Sequence, residues 1–118
     1  MKRLIVGMTG ATGAVFGVRL LRALKESEVE SHLVLSKWAQ QTLEHETGMS
    51  LDELKDLADY FYGQGDMGAT ISSGSFITDG MVVAPCSMRT VSAIASGVGD
   101  HLVQRAADVI LKERRRLV

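Results

Sequence analysis

The sequence predicts an α/β fold, a three-layer doubly wound sandwich in which helices cover both faces of a parallel sheet. Three observations carry this. Short apolar runs of strand length alternate along the chain with amphipathic helical segments. Those runs are continuous rather than alternating in polarity, as strands buried on both faces must be. The length of 118 residues fits one domain spanning 1–118 with one core.

The elements follow in order. Residues 1–7 read as a buried strand through Leu4, Ile5 and Val6, closing at Gly7. Met8 to Gly13 is a glycine-rich turn. From Ala14 the pattern is helical, with Ala14, Gly17, Val18, Leu21 and Leu24 on one face and Arg19, Arg22 and Glu26 on the other. A second strand spans His32 to Leu35, and Ser36 opens a helix over Lys37 to Thr47. Ser50-Leu51-Asp52-Glu53 has the form of a capping box, which predicts a short helix from Leu51 to Ala58. Tyr60 to Ser75, rich in glycine and serine, reads as loop. Met81 to Ala84 is a third buried strand, Pro85-Cys86-Ser87 a turn, and Met88 begins a helix ending near Gly97 or Gly99. A last helix runs from His101 to Glu113, and Leu117-Val118 look like the start of a fourth strand. Three complete strands make a small sheet, so the expectation is a truncated chain, or one whose sheet another subunit completes.

Composition excludes several function classes. Apolar types make up 46% and charged types 23%, which is globular composition. Lysine plus arginine total 13 against 14 acids, for a formal charge of −1, and the charge is spread evenly, with 7 bases and 9 acids in residues 1–60 and 6 and 5 in residues 61–118. A nucleic-acid partner is therefore not expected. The apolar run after Lys2 and Arg3 is too short for a signal-peptide core or a membrane span. The single cysteine, Cys86, excludes an internal disulfide, and with His32, His45 and His101 scattered there is no metal-ligand spacing. The expectation is a cytoplasmic, metal-free protein.

In an open parallel sheet, ligands bind beyond the carboxyl ends of the strands. Three turns qualify: Thr9 to Gly13, Ser36-Lys37 and Cys86 to Thr90. They carry small residues and hydroxyls, with Thr9, Thr12, Ser36, Ser87 and Thr90 as donors, next to helix N-termini suited to phosphate. Gly7-x-x-Gly10-x-x-Gly13 is not the dinucleotide fingerprint, and by itself it equally describes a turn built for tight strand–helix packing. The acid that NAD sites place after the second strand is replaced by Ser36-Lys37, which disfavours NAD and leaves NADP or a mononucleotide such as FMN. Arg105, Asp108 and Lys112 share one helix face, a phosphate grip or a solvated face with a local ion pair. Glu46 reads by default as a surface carboxylate. Cys86 is most simply a small buried residue, although its place before a helix could lower a thiol pKa. Trp38 and Tyr60-Phe61-Tyr62 fit core or subunit contacts.

Five ordered motifs together carry a resemblance. They are Gly7-Met8-Thr9-Gly10-Ala11-Thr12-Gly13-Ala14; Ser36-Lys37-Trp38-Ala39; Ile71-Ser72-Ser73-Gly74-Ser75-Phe76; Pro85-Cys86-Ser87-Met88; and Arg105-Ala106-Ala107-Asp108-Val109 with Leu111-Lys112-Glu113-Arg114. Throughout its length the chain resembles the UbiX-like flavin prenyltransferases, in their phenolic acid decarboxylase branch. The resemblance implies a flavodoxin-like or Rossmann-like, FMN-binding subunit that assembles into trimer-based homo-oligomers, up to a dodecamer. It implies transfer of a dimethylallyl group from dimethylallyl phosphate to reduced FMN without a metal. The prenylated FMN then serves a UbiD-type decarboxylase. By motif, Gly10, Ala11 and Thr12, then Ser36, then Ser87, Met88, Arg89 and Thr90 correspond to FMN contacts. Glu46 corresponds to a prenyl-transfer carboxylate, a plausible proton shuttle in ring closure, and Arg105 and Lys112 to residues near the substrate phosphate. Family members continue well past residue 118 and draw further arginine, tyrosine and glutamate residues from that part. The competing readings are a non-catalytic FMN-binding chain and an NADP-binding reductase-like domain.

Overall fold

The computed structural model describes residues 2–118; Met1, the first residue of the predicted strand 1–7, lies outside the described residues. Five parallel strands form one sheet in the order β3-β2-β1-β4-β5: β1 Arg3–Met8, β2 Glu30–Leu35, β3 Tyr60–Gly63, β4 Gly80–Val83 and β5 Arg116–Leu117. The helices are α1 Ala14–Glu26, α2 Lys37–Thr47, α3 Leu51–Lys55, α4 Met88–Ala95 and α5 Leu102–Lys112, with a single 3-10 turn at Thr70–Ser72.

Both faces of the sheet are buried, and the pleat explains how. Val6, Met8, Leu33 and Leu35 point to the face covered by α1 and α2, where they meet Val18, Leu21 and Leu43. Ile5 and Val34, one residue out of phase, point to the other face and meet Val103, Ala106 and Ile110 of α5. Helix α5 presents its apolar stripe inward and leaves Arg105, Asp108 and Lys112 outside, as their shared face requires.

The sheet corrects the sequence reading at one element. Tyr60 to Gly63 is an edge strand, paired in register with β2 from His32↔Tyr60 to Leu35↔Gly63, not the start of a loop. Its run of β-favouring aromatics is only three residues long and stops at Gly63, so it carries no periodic signal of its own. The sheet thus has five strands. Helix α3 stops at Lys55 rather than Ala58. Leu57 N–H and Ala58 N–H donate to the carbonyls of Leu54 and Lys55, so the chain tightens to i→i+3 bonds beyond Asp56.

At the amino ends of the strands lies a closed polar cluster. His32 is buried, donates from Nε2 to Glu30 Oε1 (2.7 Å) and sets Nδ1 against the Tyr62 hydroxyl (3.0 Å). The carboxylate can only accept, so Nε2 carries the proton of this bond. Tyr60 stacks on the imidazole at 4.6 Å, and Arg3 Nε donates to the same Glu30 oxygen. His32 is thereby a satisfied core residue.

Candidate functional site: a cleft at the switch point of the sheet

From β1 the chain steps outward through β2 to β3, then returns to place β4 on the other side of β1. The carboxyl ends of β1 and β4 therefore diverge into helices on opposite faces, which opens a crevice between their turns. A cleft of about 560 Å³ lies there, lined by Thr9, Gly10, Ser36, Lys37, Trp38, Gln64, Ser87, Arg89, Thr90, His101 and Gln104. A second hollow, of about 390 Å³ among Lys25, Glu28, Glu30 and Asp59, sits at the amino ends, away from every turn that opens a helix.

The turns are locked to each other by Thr9. Its hydroxyl donates to Pro85 O (2.9 Å) and accepts from Ser87 N–H (2.8 Å), while its own N–H also donates to Pro85 O (3.1 Å). This corrects one expectation: the Thr9 proton is committed within the chain and is not available to a phosphate. The Thr12 proton is committed likewise, to Glu46, whereas the hydroxyls of Ser36, Ser87 and Thr90 behave differently. Ser36 Oγ caps α2 by accepting from Ala39 N–H (3.3 Å), and Ser87 Oγ caps α4 by accepting from Thr90 N–H (3.2 Å). A capping oxygen accepts, so its own proton remains free to point outward. Ser87 Oγ and Thr90 Oγ1 are 2.9 Å apart, so one proton of that pair is shared and one is free. Lys37 and Arg89 flank these hydroxyls, both exposed, and neither joins an ion pair among the described residues.

The third helix start is already occupied. Gly13 holds φ at +107°, which aims its N–H and that of Ala14 along the axis of α1. The carboxylate of Glu46, at the far end of α2, accepts from Gly13 N–H (2.9 Å), Ala14 N–H (3.1 Å) and the Thr12 hydroxyl (2.6 Å). These bonds, the Thr12 hydroxyl foremost, hold the Glu46 carboxyl below the usual carboxylate range. Phosphate binding at this third N-terminus, which the glycine turn suggested, is thus pre-empted by the chain's own anion. Gly10 lies so close to α2 that a Cβ there would meet Trp38 Cβ at 2.6 Å, and Thr42 Oγ1 donates to Gly10 O (2.9 Å). Tight packing is therefore part of what this glycine does.

Of the sequence-derived site residues, Gly10, Ser36, Ser87, Arg89 and Thr90 line the cleft. Ala11 and Thr12 belong to the same turn without lining it, and Thr12 faces Glu46. Met88 is exposed at the start of α4. Arg105 lies outward on the first turns of α5. Lys112 closes that helix, roughly 10 Å further along its axis. Its Nζ lies 3.8 Å from Glu113 Oε1, and Lys112 does not line the cleft. Burial pushes the Cys86 thiol up, against the lowering its position suggested. Trp38 is exposed at the rim, not in the core. Gln64, His101 and Gln104 were missed. Gln64 Oε1 accepts from Lys37 N–H (2.7 Å) and its carbonyl accepts from Leu102 N–H (2.8 Å), tying α2 to α5. Recognising β3 as a strand would have marked the loop after it as a further rim loop.

Among the described residues no helix is long and apolar enough to cross a membrane, and no three His, Cys, Asp or Glu side chains are grouped to hold a metal ion.

The Flavoprotein family model matches residues 1–118. A probable UbiX-like flavin prenyltransferase of Bacillus subtilis is 60% identical over 116 residues, which are 98% of this chain and 57% of that protein. The flavin prenyltransferase UbiX of Neisseria meningitidis serogroup B is 53% identical over 118 residues, 62% of its length. The chain thus spans about three fifths of the length of the curated relatives it matches. Among solved structures, AnUbiX in complex with FMN and dimethylallyl pyrophosphate superposes with a TM-score of 0.97 at 54% identity, covering 98% of this chain and 62% of that one. A dodecameric FMN-dependent UbiX-like decarboxylase from Escherichia coli O157:H7 gives 0.95 at 59% identity, covering 98% and 63%. The chain belongs to the Flavoprotein family, with UbiX-like flavin prenyltransferases among its relatives.

Proposed function

We propose that this chain is the flavin-binding part of a flavin prenyltransferase, which moves a dimethylallyl group from dimethylallyl phosphate to reduced FMN. The observation that carries the reading is the cleft itself. Two serine-capped helix starts, the Thr90 hydroxyl and two unpaired cations converge on one crevice at the switch point. FMN fits this donor set: Ser36 and the Ser87–Thr90 pair each have one proton to donate to its phosphate and ribityl oxygens, Lys37 and Arg89 supply counter-charge, and a buried carboxamide oxygen at Gln104 lacks a partner. When bound, reduced FMN supplies the ring whose N5 and C6 accept the dimethylallyl group.

The remaining work falls to side chains. Backbone groups of Gly10, Ala11 and Met88 complete the flavin surroundings, and Thr12, its hydroxyl given to Glu46, holds that turn in place. Breaking the allylic C–O bond leaves phosphate, which needs fixed positive charge, the role of Arg105 and Lys112. Lys112 lies at the far end of α5 from the cleft of its own chain, so it acts on a neighbouring copy's substrate in a homo-oligomer, with the outward-facing Arg105 on the same helix face beside it. Glu46 holds the glycine turn, and because its pKa is lowered it takes up a proton during ring closure only after Thr12 rotates away. The prenylated FMN passes to a UbiD-type decarboxylase, in a reducing cytoplasmic setting where Cys86 stays a thiol.

The test is to incubate the protein with reduced FMN and dimethylallyl phosphate, then extract the flavin and weigh it. A dimethylallyl mass increment is expected. Bound but unmodified FMN would leave a non-catalytic flavin-binding chain. A melting temperature raised by NADP and not by FMN would overturn the flavin reading.

A further inference from the structure

Gln104 stands apart from the other residues of the cleft. It is only 9% exposed, sits on the inner face of α5 and lines the crevice, yet its Oε1 has no hydrogen-bond partner. Among the described residues only Thr78 Oγ1 shares that condition, and Thr78 lies before β4, away from the cleft. Unsatisfied buried acceptors are rare in folded chains, and one on the wall of a cleft is placed where a ligand can answer it. An orphaned acceptor requires a donor. Phosphate, a dianion, offers none, whereas FMN has donors in its ribityl hydroxyls and its imide N3–H, and only the imide sets donor and acceptor side by side in one plane, as a carboxamide does. A glutamine carboxamide carries an acceptor and a donor side by side, and rotation of its terminal torsions presents both to whatever fills the cleft.

We infer that Gln104 is a specificity-determining residue that reads the imide edge of the flavin ring, with Oε1 accepting from N3–H and Nε2 donating to a flanking carbonyl. The inference rests on the flavin reading above. It explains why a buried polar side chain stands on the otherwise apolar inner face of α5, at a place none of the five motifs covers.

The test is equilibrium binding of FMN and of N3-methyl-FMN, followed by flavin fluorescence, to wild type and Q104L, with Q104M in reserve should Q104L not fold. Wild type is expected to bind FMN about tenfold or more tighter than the N3-methyl analogue. Q104L is expected to bind FMN about tenfold more weakly than wild type and to treat the two flavins alike. Ligand-free Q104L should melt at or above the wild-type temperature, because an orphaned polar atom has been removed. Wild-type FMN affinity in Q104L, or discrimination against N3-methyl-FMN that survives the substitution, would overturn the assignment; the latter would locate the N3–H contact elsewhere. Wild type that binds no FMN would instead overturn the flavin reading, and the assignment with it.

Discussion

Thr9→Val tests whether the site is held together by one buried hydroxyl. Valine keeps the shape of threonine and removes only its hydrogen bonding. Pro85 O retains the Thr9 N–H, but Ser87 N–H loses its acceptor at 2.8 Å. A lost bond counts about 1 kcal/mol and a part-buried orphaned N–H about 1–2 kcal/mol, for a total of about 2–3 kcal/mol. Unfolding entropy near 2.1 cal/mol/K per residue gives about 0.25 kcal/mol/K for a chain of 118 residues, so the melting temperature should fall by about 8–12 °C. Thr9→Ser keeps the hydroxyl and gives up one buried methyl, about 1 kcal/mol or roughly 4 °C. Thermal denaturation followed by circular dichroism separates the two. Flavin affinity should drop in T9V and hold in T9S, because Ser87 is positioned by this bond. T9V melting within about 2 °C of wild type would refute the reasoning, since the hydroxyl would then carry no structural load.

Other expectations follow from the same geometry. Ser87→Ala removes the α4 cap and the flavin donor proposed there, and should cost about 1 kcal/mol of stability and weaken flavin retention. Lys112→Ala should retain flavin and raise the KM for the allylic phosphate; equal flavin loss in both variants would contradict this division of roles. The Glu46 and Glu30 carboxyls, lowered respectively by Thr12 with two N–H groups and by His32 with Arg3, contribute stability that is complete above the ordinary carboxylate range. That contribution disappears as pH falls through their lower folded values. Glu46→Gln should therefore flatten the acid limb of a stability–pH curve, and an unchanged limb would show that the carboxylate does not cap α1. Gly10→Ala forces a methyl against Trp38 Cβ and should cost about 1–3 kcal/mol, read by urea denaturation, with loss of flavin binding.

Where strands are continuous and apolar, the sequence predicts them to within two residues, as at Leu4 to Val6, His32 to Leu35 and Met81 to Ala84. Local capping is equally legible: the Ser50–Glu53 box forms with both of its hydrogen bonds. β3 was hidden because its stability comes from pairing with β2, a partner 28 residues away at His32↔Tyr60, rather than from its own pattern. The misplaced site roles share that cause. Thr9 finds its partners at Pro85 and Ser87, and Glu46 finds Thr12, Gly13 and Ala14, contacts that no local spacing encodes. Serines 36 and 87 were readable because a helix cap is a local device. Gln104 lies outside every motif and becomes visible only once α5 packs against the sheet.

The carboxylate of Glu46 also gives the crevice a polarity. With the start of α1 neutralised from within, the attractive field is concentrated near the starts of α2 and α4, beside Lys37 and Arg89. A molecule charged at one end and flat at the other then has one favourable way to enter, its charged end drawn towards α2 and α4.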